Sequence, residues 1–384
     1  MKKIIFIALV FTTLVTNAQL KDVLVPYRKA SLWGFSDSNG KIVIAPVYDS
    51  VTLFERVYNK EKEISIKYCK VYQNNKVGML SNDNKFLFPI QYASFDFEYD
   101  SDRFTITDAN GKSGLRDFNT VYLPIEYESI KAVRNESYVI QKNGKIGLAD
   151  YYGKIVIPMI YDQLNYVSKD EKSCKWKVVN EQETKYVFTP IFEEKDQIVS
   201  EYSIPGDAPY AVEVISAQDE LTKKYNWVEK HGIFDYAFIF REESKSGYKY
   251  GFENSKSKNK FKGMDSKLEF LIDYFDYKTR SQHFVLKISK EDKYGIIDET
   301  GTIIIPTQYN EIQSDRKKCT LIKNDLIGYY FPHNNQFFEA KYKGSTGYAN
   351  PGSYSLVDFT IIGVYENSKK DWYYIGDNGV IFKE

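Results

Sequence analysis

Apolar and polar residues alternate along most of this chain in short runs separated by Asn, Asp and Gly, the pattern of half-buried β-strands joined by tight turns. The pattern also repeats. The stretch "LWGFSDSNGKIVIAPVYDSV" (residues 32–51) centres on Gly34. It returns as "KVGMLSNDNKFLFPIQYASF" around Gly78, "KSGLRDFNTVYLPIEYESI" around Gly114, "KIGLADYYGKIVIPMIYDQL" around Gly147 and "KYGIIDETGTIIIPTQYNEI" around Gly295, with fainter copies starting at Gly251 and Gly328. The Gly spacings are 44, 36 and 33 in the first group and 44 and 33 in the second.

The register inside each copy is tight. A Tyr stands 14 residues after the Gly at Tyr48, Tyr92, Tyr161 and Tyr309, and Tyr127 stands 13 after Gly114. Pro89, Pro158 and Pro306 stand 11 after theirs. Upstream of the Gly, "YVIQKNGKIG" and its equivalents predict strand, two-residue turn, strand. The turn pairs are Asn74-Asn75, Asn110-Gly111, Asn143-Gly144, Glu291-Asp292 and Asn324-Asp325. Downstream, "DSNG", "DYYG" and "DETG" predict turns in which Asp37, Asp150 and Asp298 bond the backbone and Gly40, Gly153 and Gly301 take left-handed φ. A β-branched strand then meets a Pro, which ends it or marks it as an edge, and the Tyr-Asp opens the connection to the next unit. A tail at 186–194, with Pro190 and Phe192, reads as a decayed further copy.

A unit of about three short strands cannot bury its apolar face alone, but stacked units can. The prediction is therefore an all-β protein of tandem β-hairpin or three-strand repeats stacked in an elongated, curved array, with a β-propeller as the alternative. The blocks are 19–195 and 246–332. Between them, 196–245 is an irregular insertion in which "SAQDELTKKYNWVEKHG" predicts a short helix: Ser216 caps it, Leu221, Tyr225 and Val228 share a face, and Gly232 ends it. Residues 333–384 predict a β cap closing on a hairpin over Asn378-Gly379.

These copies resemble the WG (KWG) repeat, whose pattern is similar to "NGKWGFID..GKIVIPPKYD.I". The family Trp stands only at Trp33; Val77, Ser113, Ile146, Tyr294 and Ile327 occupy its place elsewhere. The resemblance implies an extracytoplasmic β-rich module without catalytic residues, acting as a scaffold or interaction surface.

The first residues, "MKKIIFIALVFTTLVTNAQL", carry a basic start, an apolar stretch and small residues at a cleavage position. They predict a signal peptide over 1–18 and export to the periplasm, outer surface or extracellular space. The ending "NAQ" resembles signal peptides common in Bacteroidota. No later segment is apolar enough to span a bilayer as a helix. The 52 Lys+Arg balance 52 Asp+Glu, so charge points to neither nucleic acid nor anionic lipid. The 33 Tyr and 25 Phe favour pleated, half-buried surfaces and so support the β reading.

Candidate chemistry is sparse. His231, His283 and His333 lack a second ligand at metal spacing, so no metal or cofactor is expected. "NGKSG" at 110–114 lacks the first Gly of a phosphate loop and reads as a hairpin turn, and "PGSYSL" at 351–356 is no nucleophile elbow. No catalytic constellation emerges, and a non-enzyme is expected. Cys69 and Cys319 share a repeat slot that elsewhere holds Thr105, Tyr138 and Leu286, so they read as small core residues; Cys174 is the third cysteine. The residues carried forward as ligand contacts are Tyr48, Tyr92, Tyr127, Tyr161, Tyr309 and Trp33, which could line a groove or pack between units. Lys76, Lys112, Lys145 and Lys293, just ahead of the Gly, could form a basic stripe or a solvated, edge-guarding face. The function expected is an exported scaffold that binds an envelope or secreted protein or peptide. A glycan or cell-wall polysaccharide module is the alternative.

Overall fold

The computed structural model describes residues 23–384 except 60–63, 99–101, 134–136, 170–172, 182, 191–220, 226, 277–278, 316 and 352–358. The signal-peptide segment, Ser216 and Phe192 lie outside the described residues. Contacts divide the chain into two compact units: residues 1–201 with 354–356 and Lys383–Glu384, and residues 202–353 with 357–382.

The fold is almost entirely β, a succession of small antiparallel meanders in chain order. In the first unit, the first sheet is Val25–Lys29, Leu32–Ser36 and Ile42–Tyr48. The second sets Ser50–Val51 and Glu55–Asn59 beside Ile64–Gln73, followed by Lys76–Ser81 and Phe86–Tyr92. The third is Ser94–Phe97, Phe104–Thr107, Ser113–Arg116 and Val121–Tyr127; the fourth is Ser129–Val133, Ser137–Lys142, Lys145–Ala149 and Ile155–Tyr161. The fifth is Gln163–Lys169, Ser173–Asn180 and Glu183–Pro190.

In the second unit, the sixth sheet is Trp227–Lys230, Ala237–Ser244, Gly247–Asn254 and Lys260–Met264. The seventh is Lys267–Asp276, Ser281–Lys290, Lys293–Asp298 and Ile303–Tyr309; the eighth is Glu311–Ser314, Cys319–Lys323, Leu326–Phe331 and Gln336–Tyr342. The ninth is Gly344–Ala349, Ile361–Tyr365, Tyr373–Gly376 and Ile381–Phe382.

Most sheets thus hold one strand more than the three expected. The added strand is the segment after the Tyr, which turns out to be more than a connection. Ser129–Val133, for example, follows Tyr127 directly and pairs with Ser137–Lys142. The sequence repeat and the sheet are therefore out of phase: each copy ends in the first strand of the next sheet.

The interval 196–245 is also more regular than expected. Among its described residues a short helix runs over 221–224, with the Tyr225 amide donating to the Leu221 carbonyl. Val228 does not share its face. It lies in the strand Trp227–Lys230 opposite Phe240, because the chain here joins the sixth sheet. In the segment 333–384, expected to be a β cap, Gly344–Ala349 is the first strand of a full four-stranded sheet.

The core lies between successive sheets. Phe35, Ile44 and Tyr48 of the first sheet pack on Cys69, Val71 and Leu80 of the second. Leu115, Leu123 and Tyr127 of the third meet Tyr138, Ile140 and Ala149 of the fourth. In the second unit, Ile296, Ile305 and Tyr309 of the seventh sheet meet Ile312, Cys319, Leu321 and Tyr330 of the eighth. Within each unit the inner sheets thus supply half of two cores, as the third sheet does toward the second and the fourth, which is why one copy of the sequence cannot fold alone. The three cysteines form no disulfide and are buried in separate clusters. Burial pushes the Cys69 and Cys319 thiols up, so they behave as core residues. The final two residues belong to the first unit, where Lys383 bridges Arg28 and the Glu384 amide donates to the Arg28 carbonyl.

Candidate interaction surface

The repeat motif resolves into a backbone device. On the strand next to the outermost one, the residue before the Gly faces the Tyr across the ladder: Trp33 opposite Tyr48, Val77 opposite Tyr92, Ser113 opposite Tyr127, Ile146 opposite Tyr161, Tyr294 opposite Tyr309. Two residues on, Phe35 faces Ile44, so the outer strand spends four residues where its partner spends two. The resulting bulge passes directly over the Gly. A Cβ at Gly34 would lie 2.3 Å from the Ile44 carbonyl oxygen, at Gly147 2.6 Å from that of Ile157, and at Gly295 2.5 Å from that of Ile305. Only glycine admits this approach. The Pro sits inside the bulge on the sheet's outermost strand, where its missing N–H costs no ladder bond. The strand runs on through it to the Tyr.

The turns behave as their residues predict. Asp37 Oδ1 accepts from the amides of Asn39 and Lys41, and Asp150 and Asp298 repeat the arrangement, with Gly40, Gly153 and Gly301 at φ 83°, 82° and 87°. Asn143-Gly144 and Asn324-Asp325 have positive φ at both central positions, whereas at Asn110-Gly111 only Gly111 does. There Asp108 bonds the amides of Asn110 and Lys112, so "NGKSG" is a turn closed by an Asp. The acid after the repeat Tyr has a job that the sequence did not disclose. Asp49 accepts from the Asn74 amide, Glu128 from the Asn143 and Gly144 amides, and Asp162 from the Glu181 amide. Each carboxylate caps the hairpin of the following sheet and so fixes its register. The Gly144 amide holds the Glu128 carboxyl below its usual range.

The expected ligand contacts fall mostly in the core. Trp33, Tyr48, Tyr127 and Tyr309 are buried, whereas Tyr92 and Tyr161 are half-buried. Burial raises the Tyr48, Tyr127 and Tyr309 hydroxyls above the usual 10.0. These rings pack between sheets rather than line an open groove. The ladder has a further member that sequence reading missed: Tyr342, 14 residues after Gly328, faces Ile327 and is fully buried. The lysines ahead of the Gly do not form a uniform basic stripe, because Lys145 pairs with Asp162 at 2.6 Å and Lys112 with Glu128 at 3.5 Å.

One buried polar cluster joins the third and fourth sheets. Arg103 lies between the rings of Tyr122 and Tyr151, 3.7 and 3.3 Å from their centroids, and donates to the Tyr151 carbonyl. Beside it, the Tyr138 hydroxyl donates to Glu98 at 3.1 Å. Burial raises the Glu98 carboxyl, against the pull of that hydrogen bond and of Arg103. The cluster is enclosed and pins two sheets.

What the repeat does expose is a different position. In five copies the outermost strand carries a second bulge before its buried residue, which turns one apolar side chain outward; in the eighth sheet Phe337 takes the same place without it. Ile42, Phe86, Val121, Ile155, Ile303 and Phe337 each face the second residue after the repeat Gly, and all are between 39% and 60% exposed. In the fifth sheet the outer strand exposes Tyr186 and Phe188, with Lys175 over both rings.

Residues 33–56 and 294–325 match the WG containing repeat. The two matches lie one in each unit and cover the Trp33–Tyr48 and Tyr294–Tyr309 pairs, so the chain is a β-rich repeat protein with one segment in each unit that matches the WG repeat. No curated protein matches it in sequence. Among solved structures it is similar to Kluyveromyces lactis Hsv2, at 8% identity over 85% of this chain and 98% of that one, with a TM-score of 0.21. It is similar to the extracellular domain of BT4673 from B. thetaiotaomicron, at 11% identity over 86% and 53%, with a TM-score of 0.19. A third is the beta-propeller domain of Myceliophteria thermophila Cps50 (Swd1), at 12% identity over 76% and 88%, with a TM-score of 0.17. Among the described residues no helix is long and apolar enough to cross a membrane, and no three His, Cys, Asp or Glu side chains converge as a metal site.

Proposed function

We propose that the chain is an exported repeat scaffold whose sheet edges bind a protein or peptide partner at the cell envelope, without chemistry of their own. The observation that carries this reading is the exposed apolar residue that recurs at one register position on the outer strands of both units. A protein ordinarily covers or charges such edges. Here the bulges and the Pro spoil the outer ladder for strand addition, so a partner engages the side chains rather than the backbone. The burial of the Tyr ladder supports this reading over a glycan groove built on those rings.

The test is crosslinking pull-down from envelope fractions with the full chain and with a variant carrying Ile42→Ser, Phe86→Ser, Val121→Ser and Ile155→Ser, each run with and without glycan-degrading pretreatment. The expected result is one protein recovered by the parent, insensitive to the treatment and lost with the variant. Equal recovery by both chains overturns the edge surface. Retention that disappears on polysaccharide digestion makes the chain a glycan binder.

A further inference from the structure

The seventh sheet places a hydroxyl, an imidazole and a carboxylate in line. Ser281 and His283 are two apart on the strand Ser281–Lys290, so both side chains leave the same face. The Ser281 Oγ lies 2.7 Å from His283 Nε2, and His283 Nδ1 lies 2.9 Å from Glu299 Oε1. Val285 faces Asp298 across the ladder, so the chain leaving Asp298 brings Glu299 beside His283. Glu299 is buried, and its other oxygen is 3.5 Å from Asn254 Nδ2. The ring of Tyr274 stacks on the imidazole at 5.4 Å, and that of His333 stands edge-on to Tyr274 at 5.9 Å.

The chemistry follows from the tautomer. The buried carboxylate accepts a hydrogen bond from Nδ1–H and so keeps the ring proton on Nδ1, which leaves Nε2 as an acceptor. Ser281 then donates its hydroxyl proton to Nε2, and its oxygen becomes the nucleophilic end of the chain. Thr279 Oγ1, 2.6 Å from Ser281 Oγ, completes the hydrogen bonding of that oxygen. Glu299 is the enclosed end, while Ser281 is only half-buried and Thr279 is exposed, so the nucleophile faces solvent.

We infer that Ser281, with His283 as base and Glu299 as its positioning residue, is a nucleophilic serine that accepts acyl groups from carboxylic esters with aryl leaving groups. The Oγ attacks the ester carbonyl and its proton passes to Nε2. The carbon–oxygen bond to the leaving group breaks, and Nε2 returns the proton to the departing aryl oxide. Water, deprotonated by the same nitrogen, then releases the acid and regenerates Ser281. The Tyr274 and His333 rings suit an aryl group. This activity is separate from the edge surface and does not depend on it.

The test uses the full chain and a fluorophosphonate probe. Ser281 Oγ displaces fluoride from phosphorus, and the stable adduct is located by peptide mass spectrometry. One adduct on Ser281 is expected. Ser281→Ala abolishes it and His283→Gln slows it about 100-fold, with circular dichroism confirming that each variant is folded. Glu299→Gln slows labelling less than His283→Gln. The absence of an adduct on the folded parent, an adduct on Thr279 or on tyrosines alone, or equal labelling of His283→Gln overturns the inference.

Discussion

The first and fourth sheets build the same repeat with different residues at its name-giving position. In the first, Trp33 faces a buried Tyr48; in the fourth, Ile146 faces a half-exposed Tyr161. Both keep the Gly, the bulge, the Asp-closed turn and the acid after the Tyr. Trp and Ile differ greatly in volume, and that difference is absorbed because the position only fills space. The Gly tolerates nothing, because the opposing backbone occupies the place of its Cβ. What defines this repeat physically is a bulge laid over a glycine, and the Trp is one of several ways to cover it.

The sharpest way to break that comparison is to give both glycines a methyl group. Gly34→Ala and Gly147→Ala set a Cβ 2.3 and 2.6 Å from a fixed carbonyl oxygen. Each is expected to cost about 4 kcal/mol in urea unfolding, in either sheet alike. Gly144→Ala, at a turn with φ 73° and nothing within 4 Å, should cost only about 1 kcal/mol. Equal losses at Gly144 and Gly147 would show that the bulge is not the constraint.

The covering position should separate the two sheets. Trp33 is 5% exposed with the Arg28 guanidinium over its ring, and Trp33→Ala is expected to cost about 3 kcal/mol. Ile146 is only half-buried, so Ile146→Ala should cost about 1 kcal/mol. Equilibrium denaturation of the two variants measures the difference directly.

The legible parts of this fold were those written in local turn chemistry. Asn143-Gly144 and the Asp-x-x-Gly turns announce their φ angles in their own residues. The strand after the Tyr was illegible because it is short and often polar. Ser50–Val51 has two residues, and nothing in "DSV" says that it pairs forward with Val71 and Tyr72 rather than back. The bulges were hidden for a related reason: alternation read along one strand does not reveal a slip against its neighbour. That slip is what exposes Ile42 and Ile155 and hides Tyr48. The Ser281–His283 pair was passed over because its histidine was read for metal-ligand spacing. The period-two spacing on a strand was visible, but Glu299 joins only through the ladder.

A smaller effect than the losses at Gly or Trp should appear at high pH. Burial, then the neighbouring Cys69, raises the Tyr48 hydroxyl above 10.0. Between that value and the raised one, the folded chain keeps a proton that the unfolded chain releases. Stability is therefore constant below about pH 10 and falls as pH rises through the window. Tyr309, raised by burial and then by Glu339, acts in the same direction. Thermal melts from pH 8 to 11 should show the fall, with Tyr48→Phe and Tyr309→Phe each making it shallower. An unchanged slope would mean that these hydroxyls open to solvent in the folded chain.

The smallest effect on stability should carry the largest effect on binding. Ile42→Ser and Ile155→Ser alter side chains that are 40% and 39% exposed, on outer strands, at equivalent positions in the two sheets compared above. Each is expected to shift unfolding by less than about 0.5 kcal/mol. Because neither change disturbs the bulge, the Gly or the Tyr, a loss of partner recovery could not be attributed to unfolding. If the sheets bind as a repeating set, each single substitution should weaken recovery modestly and the pair should weaken it by more than either. If only the first sheet contacts the partner, Ile42→Ser alone should reproduce the loss of the pair. Trp33, buried beneath that edge, would then mark the sheet that binds as well as the one that keeps the Trp of the WG repeat.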